Sequence, residues 1–356
     1  MTYAQEQNNG DAVAAPATGN LLLPGVVGDG PDRDAIERVP GAVVRGVFNG
    51  VAAGALWGLI FLIPLSLHDF NAWQLSSARY LVYGAVALGF VLPRWKQITR
   101  RIGRREWCAL LGLSVLGNLA YYVFLTVGVQ WAGSAPTTLI IGLIPVLMTL
   151  VGCRARGAVG IRPLLAPMAL CVLGVTAVAA HSLGHGVLPG VASSWMRRAV
   201  GLLCAAGALL CWSAFSIGNS RWLARRPDIS PWDCSMLVGV ATGALALLLA
   251  VPAFLGPLLA GAAPTRHTLN DWLRFWLITG VLAILASVVG NGFWNRASRL
   301  LPLTMLGQLI VFETVFGLLY GFLYQWRLPS ALEWLSMVSL IGGVLWCARA
   351  HRQRHS

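Results

Sequence analysis

The sequence predicts an all-α polytopic membrane protein: ten transmembrane helices arranged as two inverted five-helix repeats, with both termini cytoplasmic. Three observations carry that prediction. Of 356 residues, 57% are hydrophobic and only 11% charged, with a mean hydropathy of +0.69, whereas a soluble domain carries roughly 25% charged residues. The basic residues gather on alternate loops, and the two halves of the chain repeat one another in order. A formal net charge of +13 would point to nucleic acid in a soluble chain. Here it belongs to cytoplasmic loops, and no nucleic-acid partner is expected.

The elements follow in chain order. Residues 1–44 are rich in Gly, Ala, Pro, Asn and Asp, and their apolar patch Leu21–Leu23 is too short to cross a bilayer. They read as a disordered cytoplasmic tail, with no basic region leading into an apolar core as a cleavable signal would have. Apolar windows near the 20-residue length set by bilayer thickness then give helices at 45–67, 73–92, 106–129, 133–152, 162–180, 199–220, 234–256, 273–296, 302–324 and 332–349. The first repeat spans 45–181, an extracytoplasmic connecting loop 182–198, the second repeat 199–349, and a cytoplasmic tail 350–356.

The positive-inside rule tests that helix count, because a wrong number would scramble the loops. With the N-terminus inside, 20 of the 26 basic residues fall on cytoplasmic positions, densest at Arg94–Arg105. Five fall outside, and Arg79 lies within the second helix. Arg79 sits close enough to the outer end for its side chain to snorkel to the headgroups.

The halves also match in sequence. Ala52–Leu56 of the first helix recurs as Ala205–Leu209 of the sixth; Ser114, Gly117 and Asn118 of the third recur as Ser287, Gly290 and Asn291 of the eighth. Ile144-Pro145-Val146 of the fourth corresponds to Glu313-Thr314-Val315 of the ninth. Five crossings per half place the second half upside down relative to the first, which is the inverted-repeat plan of a secondary transporter. Such a plan puts a substrate site near the midplane between the halves.

Several residues are candidates for lining that site. Ser114, Asn118, Tyr122 and Thr126 recur every four residues and share a helical stripe, as do Ser287, Asn291 and Asn295 in the related helix. Polar groups in hydrocarbon must be paired or hydrated, so both stripes face the bundle interior, either bonding neighbouring helices or lining a cavity. Trp57, Trp212 and Trp294 offer aromatic walls, and Gln308 is a weaker polar candidate. Glu313 is the only carboxylate deep in any predicted span, which points either to binding a substrate ammonium or exchanging a proton, or to a protonated or hydrogen-bonded structural contact with a neighbouring helix.

Other features read as structural. Gly50, Gly54 and Gly58 in the first helix and Gly317 and Gly321 in the ninth are spaced for close helix packing. Pro64, Pro145, Pro167 and Pro252 should interrupt helical bonding locally. Seven scattered cysteines lack any CxxC pair, and His181 and His185 sit among glycines in an outer loop, so no metal, cofactor or catalytic residue is expected.

These residues resemble the drug/metabolite transporter superfamily, and specifically its EamA-like ten-helix members, over 45–349. The resemblance rests on Ala52 to Gly58, Arg79, Tyr121-Tyr122 through Gly128, Ala132 and Ala135, and Ile144-Pro145-Val146. In the second half it rests on Trp294-Asn295, Leu301-Pro302, Glu313-Thr314-Val315 and Gly342-Gly343. The family's Glu-Pro-Val has Ile144 in place of Glu in one copy and Thr314 in place of Pro in the other, leaving a single carboxylate. Its Gly-Glu after the ninth helix is replaced by Tyr324-Gln325-Trp326-Arg327.

The resemblance implies a secondary transporter of the bacterial inner membrane. It would export a small metabolite, an amino acid or an amphipathic compound by alternating access, with membrane lipids around it, possible proton coupling and a possible homodimer. No Walker A sequence is present, which disfavours ATP-driven pumping. Two other readings are a membrane-bound enzyme acting on a lipid-linked substrate, for which the loops hold only isolated Asp69, Asp228, Asp233 and Asp271, and a non-transporting partner or sensor working through the tail and the basic loop.

Overall fold

The computed structural model describes residues 41–152, 165–166, 168–176, 195–256, 267–301 and 303–352. Among them every regular element is helical. Seven helices are long and apolar enough to cross a membrane: α1 (Ala42–Ser66), α2 (Ala72–Thr99), α3 (Arg104–Ala132), α5 (Trp195–Arg225), α6 (Pro231–Leu255), α7 (Leu269–Leu300) and α8 (Leu306–Gln325). At the fourth and tenth expected spans lie α4, helical over Ser134–Ile141 and Ile144–Gly152, and α9 (Ala331–Arg352). Of the fifth expected span, 165–166 and 168–176 are described and helical, while 162–164, Pro167 and 177–180 lie outside the described residues, as do His181, His185, residues 1–40 of the N-terminal tail and 182–194 of the connecting loop.

Polar residues at the loop ends define where helices start. Asn71 caps α2 in a reciprocal box with Gln74, and Thr268 caps α7 in the same way with Asp271, each satisfying amide groups that the first turn leaves without partners. Ser230 caps α6 by accepting from Asp233 N at 3.0 Å. Gly133, at φ 100°, separates α3 from α4, a conformation open to glycine because it has no Cβ.

Three of the four prolines fall at interruptions. Pro64 follows a 3-10 turn at Leu59–Phe61, Pro145 follows the break at Gly142–Leu143 inside α4, and Pro252 lies in a π-helical turn at Val251–Leu255. Two further π turns occur at Val115–Leu119 in α3 and Ala283–Gly290 in α7. π turns inside α-helices are frequent at functional sites.

Glycines set the closest approaches. In α1, a Cβ at Gly54 would meet the Glu313 backbone N at 2.9 Å, and one at Gly58 the Gly317 backbone N at 2.8 Å. α1 therefore lies almost backbone to backbone on α8, as its small-residue spacing predicts. Gly84 of α2 and Gly243 of α6 face each other across a second close crossing, where Tyr83 Oη donates to Ser235 O at 2.6 Å. Outward faces carry exposed Leu203, Leu248, Leu273 and Leu277, as expected of surfaces solvated by lipid.

Candidate functional site

The core of the bundle holds three tryptophans from three helices. Trp57 (α1), Trp212 (α5) and Trp294 (α7) form a triangle with ring centroids 5.3–5.4 Å apart, the tilted and edge-on spacing that aromatic quadrupoles favour. All three are buried, and Trp294 Nε1 has no partner. Trp57 Nε1 donates to Ala286 O at 3.0 Å. That carbonyl lies in the π turn of α7, where helical bonding is displaced and a carbonyl can accept from outside.

The next residue along that turn meets a charge. Arg79 is only 4% exposed, and its Nε donates to Ser287 Oγ at 3.1 Å. Its guanidinium sits 4.4 Å from the Tyr122 ring centroid and 5.0 Å from that of Tyr80, a cation–π environment. The sequence reading sent this side chain outward to the headgroups; the structure turns it into the core. The physical reason is that Ser287 and two tyrosine faces on neighbouring helices offer an internal place for the charge.

Tyr121, beside Tyr122, points to the second buried charge. Its hydroxyl donates to Glu313 Oε1 at 3.1 Å, while Glu313 Oε2 has no partner. Glu313 is 1% exposed in the first turn of Val311–Gln325, just after the helix breaks at Ile310. Among the described residues the buried charged side chains are Arg79, Glu313 and Glu333, and Glu333 alone pairs directly with an opposite charge, Arg327 at 2.6 Å. Charges taken from water without a partner cost several kcal/mol each. Two of them in one cluster of tyrosines make this the candidate site, since ionisable groups within a membrane are costly.

The polar stripes divide. Asn118 Nδ2 donates to Thr242 Oγ1 at 3.1 Å; Asn295 accepts from Asn219 at 2.8 Å and donates to Pro231 O at 3.3 Å. These two asparagines are engaged between helices. Asn291 lies beside the Tyr83 hydroxyl and is half-buried. Gln308 is half-buried on Leu303–Leu309, before the break at Ile310, so it stands apart from Glu313. Tyr122 is fully buried, with Arg79 and Thr126 beside its hydroxyl.

The model of the EamA-like transporter family matches residues 44–180. Inner membrane protein YtfF of Escherichia coli (strain K12) is 34% identical over 328 residues, 88% of this chain and 97% of that protein. The chain belongs to the EamA-like transporter family. Membership and the seven apolar spans make it a multi-pass protein of the bacterial inner membrane. A solved crystal structure shares the fold of this EamA-like chain, with a TM-score of 0.61 at 19% identity, covering 87% of this chain and 99% of that one.

Sequence reasoning brought the three tryptophans and Glu313 forward individually but did not place them together. It missed Arg79, Tyr80 and Tyr121 as members of the cluster. A signal was present: Ser76, Ser77, Tyr80 and Tyr83 flank Arg79 with polar and aromatic groups that a lipid-facing helix would not need.

Proposed function

We propose that this EamA-like protein is a secondary transporter exporting a small metabolite, amino acid or amphipathic compound by alternating access, with Glu313 as its proton-exchanging or cation-binding group. The observation that carries the reading is the state of Glu313: a carboxylate buried in a membrane bundle, held by one tyrosine hydroxyl, with Oε2 unpartnered. Such an oxygen is available to a proton or to a substrate ammonium. The candidate site brings together helices from both halves of the chain, with Trp57, Arg79 and Tyr121 from the first and Trp212, Ser287, Trp294 and Glu313 from the second.

Ten helices in two inverted halves remain the architecture that fits best. The reciprocal Gly84–Gly243 crossing supports it, as do π turns at the matching places Val115–Leu119 and Ala283–Gly290. Gly290 approaching Trp57 likewise matches Gly117 approaching Phe215. In this reading the cluster is a binding site without catalytic groups, and Asn118, Tyr122, Asn291, Asn295 and Gln308 border the path or hold its helices.

Counterflow in proteoliposomes tests this against a panel of amino acids, nucleosides and amphipathic cations, comparing wild type with Glu313→Gln. Saturable exchange that Glu313→Gln weakens or makes pH-independent is the expected result. Absence of exchange for every compound, with folded protein verified in the vesicles, would end the transporter reading.

A further inference from the structure

Arg79 is left unexplained by a mechanism built on Glu313. Its guanidinium is 4% exposed, its Nε is occupied by Ser287 Oγ, and its Nη1 has no partner. Beside it lies the Tyr122 hydroxyl, and the carboxylate held by the neighbouring Tyr121 has Glu313 Oε2 unpartnered. Two orphaned polar atoms, a donor on a fixed positive charge and an acceptor on a carboxylate, thus sit in one buried cluster. A guanidinium cannot shed its proton, so this charge is permanent and needs an anion or water to complete it.

We propose that Arg79, oriented by Ser287 and seated on Tyr122, is the subsite for a carboxylate on the transported compound. The inference rests on the transporter reading above and names the chemistry of its substrate. Three observations favour a carboxylate over other anions. With Nε taken by Ser287 and Nη1 unpartnered, the guanidinium has its Nη edge to present, and parallel N–H groups suit the two oxygens of a carboxylate. Among the described residues Arg79 is the only buried basic side chain, so a doubly charged phosphate would lack a second cation. Glu313, in the same cluster, would also repel a dianion more strongly than a singly charged group. The Trp57–Trp212–Trp294 triangle adjoins through Ala286, the residue before Ser287, and offers apolar walls for the remainder of the molecule.

The competing account is that Arg79 only neutralises Glu313 at a distance. The two accounts part in a double variant. The full chain in nanodiscs and proteoliposomes would be titrated with aliphatic, aromatic and amino carboxylates, each paired with its primary amide, and with inorganic phosphate. Wild type is expected to bind and exchange carboxylates at least about tenfold better than the matched amides, the effect of losing one charge-assisted contact. Arg79→Gln should erase that preference, Arg79→Lys should keep part of it, and Arg79→Gln/Glu313→Gln should not bring it back.

Equal handling of acids and amides by wild type would overturn the proposal, as would phosphate binding in place of carboxylates, or recovery of carboxylate preference in the double variant. If Arg79→Gln does not fold, Ser287→Ala reads the same ratio: a severalfold loss for carboxylates alone supports the subsite, and an unchanged ratio contradicts it. Carboxylate-selective binding without exchange would keep the subsite and end the transporter reading; exchange of other compounds without carboxylate preference would do the reverse.

Discussion

Tyr121 donates its hydroxyl to Glu313 Oε1 at 3.1 Å, joining residues 192 apart in sequence. The bond ties the third helix to the start of Val311–Gln325 and leaves the other carboxylate oxygen bare. Every consequence of the proposed mechanism passes through that asymmetry, since one oxygen is structural and the other is free for a proton or a cation.

Tyr121→Phe should therefore strip Glu313 of its one hydrogen-bond donor without altering the ring packing. Leaving a buried carboxylate so exposed to its apolar surroundings costs about 1–3 kcal/mol or more. The expected outcome is a lower thermal unfolding temperature and an altered pH dependence of exchange, whereas Glu313→Gln/Tyr121→Phe should show little further shift beyond Glu313→Gln. Unfolding followed by a thiol-reactive dye, in a background where Cys234, buried in the folded state, is the single remaining cysteine, provides the readout.

Gly58→Val should separate α1 from α8. A Cβ there meets the Gly317 backbone N at 2.8 Å, and backbone cannot yield as a side chain does, so overpacking costs about 1–3 kcal/mol. Gly89→Val is the control, because nothing lies within 4 Å of a Cβ at that position. Comparable destabilisation by both would contradict the close crossing.

The tryptophan triangle predicts a spectroscopic result. Trp57→Phe removes the bond from Nε1 to Ala286 O and shrinks the ring that meets Trp212 and Trp294, at a cost of about 1 kcal/mol for the hydrogen bond. Trp294, with no partner for its Nε1 and 1% exposure, should be among the bluest emitters of the chain. Trp294→Phe should shift the fluorescence envelope to the red, and Trp326→Phe, removing a residue 96% exposed, to the blue.

Much of this architecture was legible in the residues, and the exceptions have physical causes. Hydropathy marked α1, α2, α3, α5, α6, α7 and α8, because each span must satisfy its backbone internally and face lipid with apolar groups. α4 is broken at Gly142–Leu143, just before Pro145, a local effect that a hydropathy window averages away. Glu313 stood out because a lone carboxylate in hydrocarbon is costly. Arg79 did not, because a long side chain near a helix end has two destinations, and the choice depends on Ser287, 208 residues later. Asn118 and Asn295 looked alike in the sequence, and their partners, Thr242 and Asn219, lie on helices whose packing no periodicity reveals.

A pH prediction concerns the polar end of the bundle, outside the spans. Arg226 donates to both oxygens of Asp228 at 2.9 Å and lies 3.4 Å from Glu106. Hydrogen bonding to Arg226 holds the Asp228 carboxyl below its ordinary range. A depressed folded value means the stabilisation is present above the unfolded value, about 3.9, and is lost as pH falls through the lower folded value. Asp228→Asn should flatten the acid limb of the stability curve below about pH 4 and leave it unchanged near neutrality apart from a small, solvent-screened offset. Thermal unfolding between pH 3 and pH 7 checks it, and identical acid limbs would remove this contact from the account.

The most direct test of the central claim is proton movement itself. Vesicles loaded with a pH-sensitive dye and containing wild type or Glu313→Gln would be given an outward gradient of a compound already shown to exchange. Substrate-dependent internal pH change with wild type, absent with Glu313→Gln although that variant still binds the compound, is the predicted result; the same pH change in both proteins would contradict the role assigned to Glu313.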